Sequence, residues 1–331
     1  MKIALFGSNR LQFSRVFTSE VLDALSQRYD ITQRIGHDDL EKNAAVLKET
    51  EIAFGTWGMP VFTPEEIKQY MPNLKALFYA AGTVQYFAKP FLDCGVRIFG
   101  SASINAVPVV EYTFSQIVLA NKGYFQAAKN YKLAPVYSLL FADHSSGNYQ
   151  SKVGLVGLGA IGSAVALRLK TLDVQVFAYD PFVSPEKAAA LGVTLTDLDT
   201  LFSECDIISN HLANKKELEN IYTRKLFSKM KKHSTFINTG RGAQVKELDL
   251  ALSLLLHPSR TALIDVLKKD LFPYGSPLFW CRNAIITPHI AGSMGNEPQR
   301  MAYYMMETME KYLNNEPVES EITEEMLATM A

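Results

Sequence analysis

Cysteine is scarce in this chain: Cys94, Cys205 and Cys281 are the only three among 331 residues. They stand far apart, so neither a disulfide framework nor a cysteine-based zinc cluster is indicated, and each reads as a small apolar residue of a core. No pair of His, Cys or carboxylate residues has metal-ligand spacing on a helix, and no metal is expected. An excess of charge of one sign is lacking as well, since 33 Lys and Arg face 34 Asp and Glu. That balance offers no field to nucleic acid or to an anionic membrane, and neither is expected as a partner. No apolar run approaches the roughly 20 residues of a membrane helix, and the start MKIALFGSNR is too short in apolar residues for a signal peptide. The expected location is the cytoplasm.

What the chain does have is apolar content, 48% of its residues, and a length that accommodates two ordinary domains. Its first hundred residues alternate short apolar runs with helical patterns. KIALFG precedes a helix over 15–28, YDITQRI one over 38–48, EIAFGT one opened by Thr63-Pro64, and LKALFYAAG one over 84–94, with VRIFG closing the series. Such repeats make a parallel α/β layer. The loops GTWGMP, with Trp57, and AAGT, with Ala81 and Gly82, follow its third and fourth strands. Open α/β sheets bind ligands at that edge, and these loops suit either plain turns or backbone N–H groups presented to a small anion. A helix over 107–132 follows, apolar on more than one face. The segment LAPVYSLLFADHSSGNYQ after it suits an arm that packs on a partner.

The stretch Lys152 to Lys170, KVGLVGLGAIGSAVALRLK, joins a β-branched strand to a helix through Gly157, Gly159 and Gly162. In the spacing G-x-G-x-x-G the first glycine makes the turn, the second admits a pyrophosphate to the backbone, and the third lets the helix pack on the sheet. The next strand, VQVFAYD, ends in Asp180, about where the ribose-binding acid of this motif belongs, on the order of 20 residues on. No Arg or Lys follows Asp180 until Lys187, which favours NAD over NADP. Further units follow, VTLTD, CDIISNHL with a helix over 215–222, STFINTG, TALIDVL and AIITPHIAG, and a doubly wound dinucleotide layer of six strands is expected from the series. A last helix over 296–314 is expected to cross back to the first layer, and the acidic tail EPVESEITEEMLATM is expected to be frayed or peripheral.

Three polar groups follow successive late strands: Arg241 in NTGRG, Asp265 and Asp270 in DVLKKD, and His289 in TPHIAG. They converge at one sheet edge, where an arginine can grip a carboxylate with two parallel hydrogen bonds and a histidine can move a proton. A carboxylate on the far ring nitrogen would fix the tautomer. Singly each also reads as an ordinary surface, turn or interior residue.

The ordered motifs GLVGLGAIG, YDP, NHL, INTGRG, LIDV and TPHIAG, with LKALFYAAG and NAVPVVEYT before them, make the chain resemble the NAD-dependent D-2-hydroxyacid dehydrogenases. The resemblance implies two doubly wound parallel-sheet α/β domains. A Rossmann NAD domain (104–293) is inserted into a flavodoxin-like catalytic domain formed by residues 1–103 and 294–331, and two chains form a homodimer on the long helix. The activity implied is hydride transfer between NAD(H) and a small 2-hydroxy or 2-keto acid. Arg241 would bind the substrate carboxylate, His289 would be the acid/base, and Trp57, Ala81 and Gly82 would line the substrate side. The same motifs mark as cofactor-facing Gly157, Gly159, Ala160, Ile161, Gly162, Asp180, Pro181, His211, Leu212, Ala213, Thr239, Gly240, Asp265 and Gly292.

The family's histidine partner is a Glu followed by Pro, whereas this chain has Asp270 followed by Leu271. The side chain is shorter by about 1.5 Å, so a loose or water-mediated contact with His289 is expected. A different class sharing this fold, an NAD(H)-sensing regulatory protein of the corepressor kind, is the alternative reading. Formate-type oxidation is disfavoured, since it needs no proton donor and that family carries Gln where Asp270 stands.

Overall fold

The computed structural model describes residues 1–270 and 273–327. The chain forms two compact units, one of Met1–Ala106 with Ser293–Ala331 and the other of Val107–Gly292.

In unit 1 five strands run parallel: β1 (Lys2–Phe6), β2 (Asp30–Ile35), β3 (Ile52–Gly55), β4 (Ala76–Tyr79) and β5 (Arg97–Gly100). Every residue of β3 and β4 is buried, as expected of strands covered on both faces. The two faces feed separate cores by the two-residue period: Ala4, Phe6, Leu77 and Tyr79 join one, and Ile3, Leu5, Ala76 and Phe78 the other. The single helix expected over 15–28 is two, α1 (Arg10–Val16) and α2 (Ser19–Ser26), because Thr18 caps the second and accepts from Val21 N–H. Over 38–48 only α3 (Ala44–Lys48) is α-helical, preceded by two single 3-10 turns. Thr63 and Glu66 form a reciprocal capping box at the start of α4 (Pro64–Tyr70), and α5 (Ala88–Asp93) leads to β5.

From α6 (Ala102–Asn121) the chain passes into unit 2. The helix expected to continue to residue 132 stops short, because Gly123 takes a φ of +65° and starts a separate α7 (Tyr124–Asn130). The arm is helical in α8 (Pro135–Asp143), which leaves Leu133, Val136 and Leu139 at 83, 71 and 69% exposure. The sheet of this unit begins with β6 (Tyr149–Val156), α9 (Ala160–Leu169), β7 (Asp173–Tyr179), α10 (Pro185–Leu191) and β8 (Thr194–Leu195). The chain continues through α11 (Leu198–Glu204), β9 (Ile207–Asn210), α12 (Arg224–Phe227), β10 (Thr235–Asn238), α13 (Glu247–Leu256), β11 (Thr261–Ile264) and β12 (Ala284–Ile286). These are seven parallel strands rather than six, in the order β12-β11-β10-β9-β6-β7-β8. The order reverses between β6 and β9, so the ligand crevice of a doubly wound sheet belongs at the ends of those two strands. In place of the helix expected over 215–222 there is one 3-10 turn, Lys216–Leu218. Asn220 breaks it with a φ of +53°, and Tyr222 bridges to Val245.

The chain then returns to unit 1. The helix α14 (Glu297–Leu313) lays Met301, Met305 and Met309 on α1, α2 and β4, the periodicity of a helix with one apolar face. The tail is not frayed over its described part. Its β13 (Glu321–Ile322) pairs antiparallel with β5, where Arg97 holds Glu321 with two 2.6 Å bonds, and α15 (Glu324–Leu327) follows. Residues 328–331 lie outside the described residues.

Candidate active site

The glycine turn lies at the end of β6, at the point of reversal. Gly157 has a φ of +93°, donates its N–H to Tyr179 O at 2.9 Å, and abuts the His211 carbonyl at the end of β9. A Cβ on Gly162 would stand 2.0 Å from Gly157 O, so only glycine lets α9 come this close to the turn. Between them Gly159 is the N-cap of α9. No side chain caps that end, and a Cβ on Gly159 would meet nothing within 4 Å. Ala160 and Ile161 form the first turn of α9, whose free N–H groups face this open space.

Asp180, after β7, is held at the same turn. One oxygen accepts from Leu158 N–H at 2.8 Å and the other from Phe182 N–H at 2.9 Å. Each oxygen keeps a lone pair for a ribose hydroxyl, and among the described residues no cation pairs with Asp180. Pro181 beside it is exposed. His211 bonds Ser209 Oγ through Nε2 at 3.0 Å, while its buried Nδ1 finds no partner among the described residues. Burial pushes this imidazole down to about 4, which keeps it neutral. Leu212 and Ala213 follow β9. Thr239 bonds Thr113 across 3.2 Å, Gly240 precedes Arg241, and Gly292 ends the unit with open space around its Cα. An open glycine at an uncapped helix start, a fixed carboxylate and no neighbouring cation fit NAD.

Arg241, Asp270 and His289 follow β10, β11 and β12, three adjacent strands, and so lie on the same edge as the glycine turn. The exposed Arg241 guanidinium donates to Gly240 O at 2.8 Å and makes no ion pair among the described residues. His289 sits at a φ of +56°, in the left-handed region, with its N–H on the carbonyls of Asp265 and Thr287. Its Nδ1 lies 3.0 Å from Asp270 Oδ2, and the half-exposed ring leaves Nε2 without a described partner. The loose contact expected of the shorter carboxylate is therefore a direct one. Asp270 reaches because Leu267 N–H, 2.6 Å from its other oxygen, folds the turn back.

The buried Asp265 is occupied with holding this loop. Its carboxylate accepts from Thr287 Oγ1 at 2.6 Å and from the N–H groups of Ile290 and Ala291, both at 2.9 Å. Thr287 in turn meets Tyr112 of α6 across 3.0 Å. Sequence reasoning overlooked Thr287 and Tyr112; the pairing of a buried Asp with a Thr just ahead of the histidine was the available signal.

In unit 1, Thr56 Oγ1 bonds Ala80 O at 2.8 Å and ties the Trp57 loop to the next one. Trp57 packs on both cores, with the Arg15 guanidinium 5.9 Å from its ring centroid. The N–H groups of Ala81 and Gly82 have no acceptor among the described residues. No helix among the described residues is long and apolar enough to cross a membrane, and no group of three metal-ligating residues occurs among them.

Fold and site together define unit 2 as a Rossmann-type dinucleotide-binding domain. Residues 127–291 match the family model described as D-isomer specific 2-hydroxyacid dehydrogenase, NAD binding domain. The chain belongs to the D-isomer-specific 2-hydroxyacid dehydrogenase family. It is 39% identical over 140 residues to a D-3-phosphoglycerate dehydrogenase of Archaeoglobus fulgidus, a match covering 42% of this chain and 27% of that protein. It thus spans well under two thirds of that relative's length. A glyoxylate reductase of Thermofilum pendens is 28% identical over 271 residues, 79% of this chain and 78% of that one. In fold the chain is similar to the NAD-complexed D-isomer specific 2-hydroxyacid dehydrogenase of Lactobacillus delbrueckii ssp. bulgaricus. That likeness has a TM-score of 0.74 at 20% identity and covers 98% of this chain and 100% of that one.

Proposed function

We propose that this protein is an NAD-dependent D-2-hydroxyacid dehydrogenase that reduces a small 2-keto acid and runs the reverse oxidation. The observation that carries the reading is the direct contact of His289 Nδ1 with Asp270, which leaves Nε2 available on the edge that also carries an arginine without an ion pair. NADH, when bound, supplies the hydride.

Arg241 binds the substrate carboxylate through its fork of N–H groups and polarises the carbonyl. His289 delivers a proton from Nε2 to the carbonyl oxygen. Asp270 on Nδ1 fixes the tautomer that makes Nε2 the working atom and balances the charged ring. Asp265 keeps the histidine loop in its left-handed turn. The proposal extends to unit 1, where the N–H groups of Ala81 and Gly82 suit a carboxylate oxygen and the face of Trp57 an apolar substituent. Preference for NAD over NADP rests on Asp180, whose carboxylate repels a 2′-phosphate and pairs with no cation among the described residues that could receive one.

The test is turnover of pyruvate, glyoxylate, hydroxypyruvate and branched and aromatic 2-keto acids with NADH and with NADPH. Reduction of at least one with NADH is expected, and Arg241→Ala and His289→Ala should each abolish it. NADH binding without turnover of any substrate would replace this reading with an NAD(H)-sensing regulatory role. The exposed Leu133, Val136 and Leu139 support a homodimer through the arm. Sedimentation should find two chains, reduced to one by Leu139→Glu; a monomeric parent would remove that part. Cytoplasmic residence completes the reading and is checked by cell fractionation.

A further inference from the structure

Four side chains behind the loops that follow β9 and β10 have no task in the scheme above. Asn210, Asn238, Gln244 and Tyr222 are all at most 1% exposed. Asn210 Nδ2 donates to Asn238 Oδ1 at 2.9 Å and to Gln244 Oε1 at 2.7 Å. Its Oδ1 accepts from Tyr222 OH at 2.7 Å and from Leu212 N–H at 3.1 Å. The amide orientation follows from the partners, since a flipped Asn210 would face two carbonyl oxygens with a third and the Leu212 N–H with another donor. All four hydrogen-bonding positions of this buried amide are therefore filled.

Two arms leave this joint. Gln244 Nε2 donates to Ala213 O at 2.8 Å and Leu212 O at 3.3 Å, which sets the loop after β9. Asn238 accepts from Gly240 N–H at 3.1 Å and donates to Arg241 O at 3.2 Å, which sets the loop after β10. Backbone groups of both loops would otherwise have to be satisfied by water, and their carbonyl directions would be free.

We propose that Asn210, Asn238 and Gln244 are positioning residues that hold the cofactor-facing Leu212–Ala213 loop and the substrate-facing Gly240–Arg241 loop in one shared geometry, with Asn210 as the joint. The assignment of each loop to its ligand rests on the function proposed above. The arms then have separable effects: losing Gln244 releases the first loop, losing Asn238 releases the second, and losing the donor of Asn210 releases both.

The experiment measures NADH affinity by fluorescence titration without substrate, and keto-acid kcat/KM at saturating NADH, for Gln244→Met, Asn238→Ala and Tyr222→Phe. Gln244→Met should weaken NADH binding about tenfold, as expected for one or two lost hydrogen bonds, and leave kcat/KM within about threefold. Asn238→Ala should do the reverse, lowering kcat/KM about tenfold with NADH affinity within about threefold. Tyr222→Phe removes a single hydroxyl from the joint, keeps the ring that packs the core, and should weaken both quantities about threefold. It serves if either other variant fails to fold. Equal losses of both quantities in Gln244→Met and Asn238→Ala would overturn the proposal, as would folded variants in which neither quantity moves. Should the wild type reduce no keto acid, NADH affinity alone still decides: a loss in Gln244→Met with retention in Asn238→Ala supports the positioning role, and any other pattern refutes it.

Discussion

Gly162→Ala and Gly159→Ala separate two demands that the turn after β6 makes on its glycines. A methyl group on Gly162 would stand 2.0 Å from Gly157 O, a full ångström inside the 3.0 Å below which such contacts do not occur. The start of α9 must therefore back away from the turn. Overpacking of this kind costs about 1–3 kcal/mol, which in a unit of this size lowers Tm by roughly 3–10 °C. The same displacement moves the N–H groups at the start of α9 that are proposed to hold the pyrophosphate, and charge-assisted hydrogen bonds are worth about 1.5–3 kcal/mol each. NADH affinity should fall roughly tenfold to a hundredfold. Gly159 behaves differently: its φ of −70° and ψ of −159° suit alanine, and the added methyl would meet nothing within 4 Å. Stability should stay within about 0.5 kcal/mol of the parent. The methyl would fill the space the pyrophosphate requires, so NADH affinity should still drop at least about tenfold. Thermal melting and NADH fluorescence titration of both variants read the two quantities independently. Unchanged NADH binding by Gly159→Ala, or undiminished Tm in Gly162→Ala, would refute the reasoning.

His211 links the turn to pH. Its folded value of about 4 lies below the ordinary 6.5, so the unfolded chain binds the proton first as pH falls. Its stabilisation is complete above pH ~6.5 and is lost on descending toward ~4; urea unfolding at pH 7 and pH 5 should differ by about 2 kcal/mol more in the parent than in His211→Gln. Identical differences would remove His211 from the account. The guanidinium of Arg260, which burial pushes below its usual range, donates to the carbonyls of Phe227, Ser228, Met230 and Lys231 and to Ser253 Oγ, and it pairs with no carboxylate among the described residues. Arg260→Met should destabilise by about 3 kcal/mol in urea titrations, and a loss below about 1 kcal/mol would show that those carbonyls find other donors. Asp265→Asn turns a donor toward the N–H of Ile290 or Ala291. It should lower kcat at least tenfold with NADH affinity nearly unchanged, and full activity would mean that the histidine loop holds itself.

The parts of this molecule that were legible in the sequence are those whose constraints are local. Gly157 and Gly162 are needed by a turn of six residues, Asp180 comes at the end of the very next strand, and Thr63 with Glu66 writes a helix start within four positions. The two sheets followed from apolar runs that need no partner to be recognised. Constraints that arise only from distant partners were not readable. The hydrogen bonds of Asn210 span 28 and 34 residues to Asn238 and Gln244, and nothing in DIISNHL distinguishes it from a polar strand end. Glu321 and Ile322 look like part of an acidic tail until Arg97 and the open edge of β5 are placed beside them. The reach of Asp270 does not follow from side-chain length, because the backbone turn closed by Leu267 N–H sets it. Gly123 was a local signal that went unused, hidden by apolar residues on both sides of it.

The return of the chain to unit 1 has a consequence for synthesis. The sheet of that unit has its first five strands within the first hundred residues, yet the apolar face that α14 covers stays bare until residue 313 has left the ribosome, and the edge of β5 stays open until Ile322 has. Unit 2 is meanwhile complete in one uninterrupted stretch. During translation the early half therefore carries Phe78 and Phe99 without the Tyr312 ring that packs on them, and an unpaired strand, for the time taken to make some two hundred further residues, on the order of ten seconds or more. That interval is when this protein is most exposed to aggregation and to chaperone capture, and a release of the chain before residue 297 would leave an intact dinucleotide domain joined to a half that has no way to close.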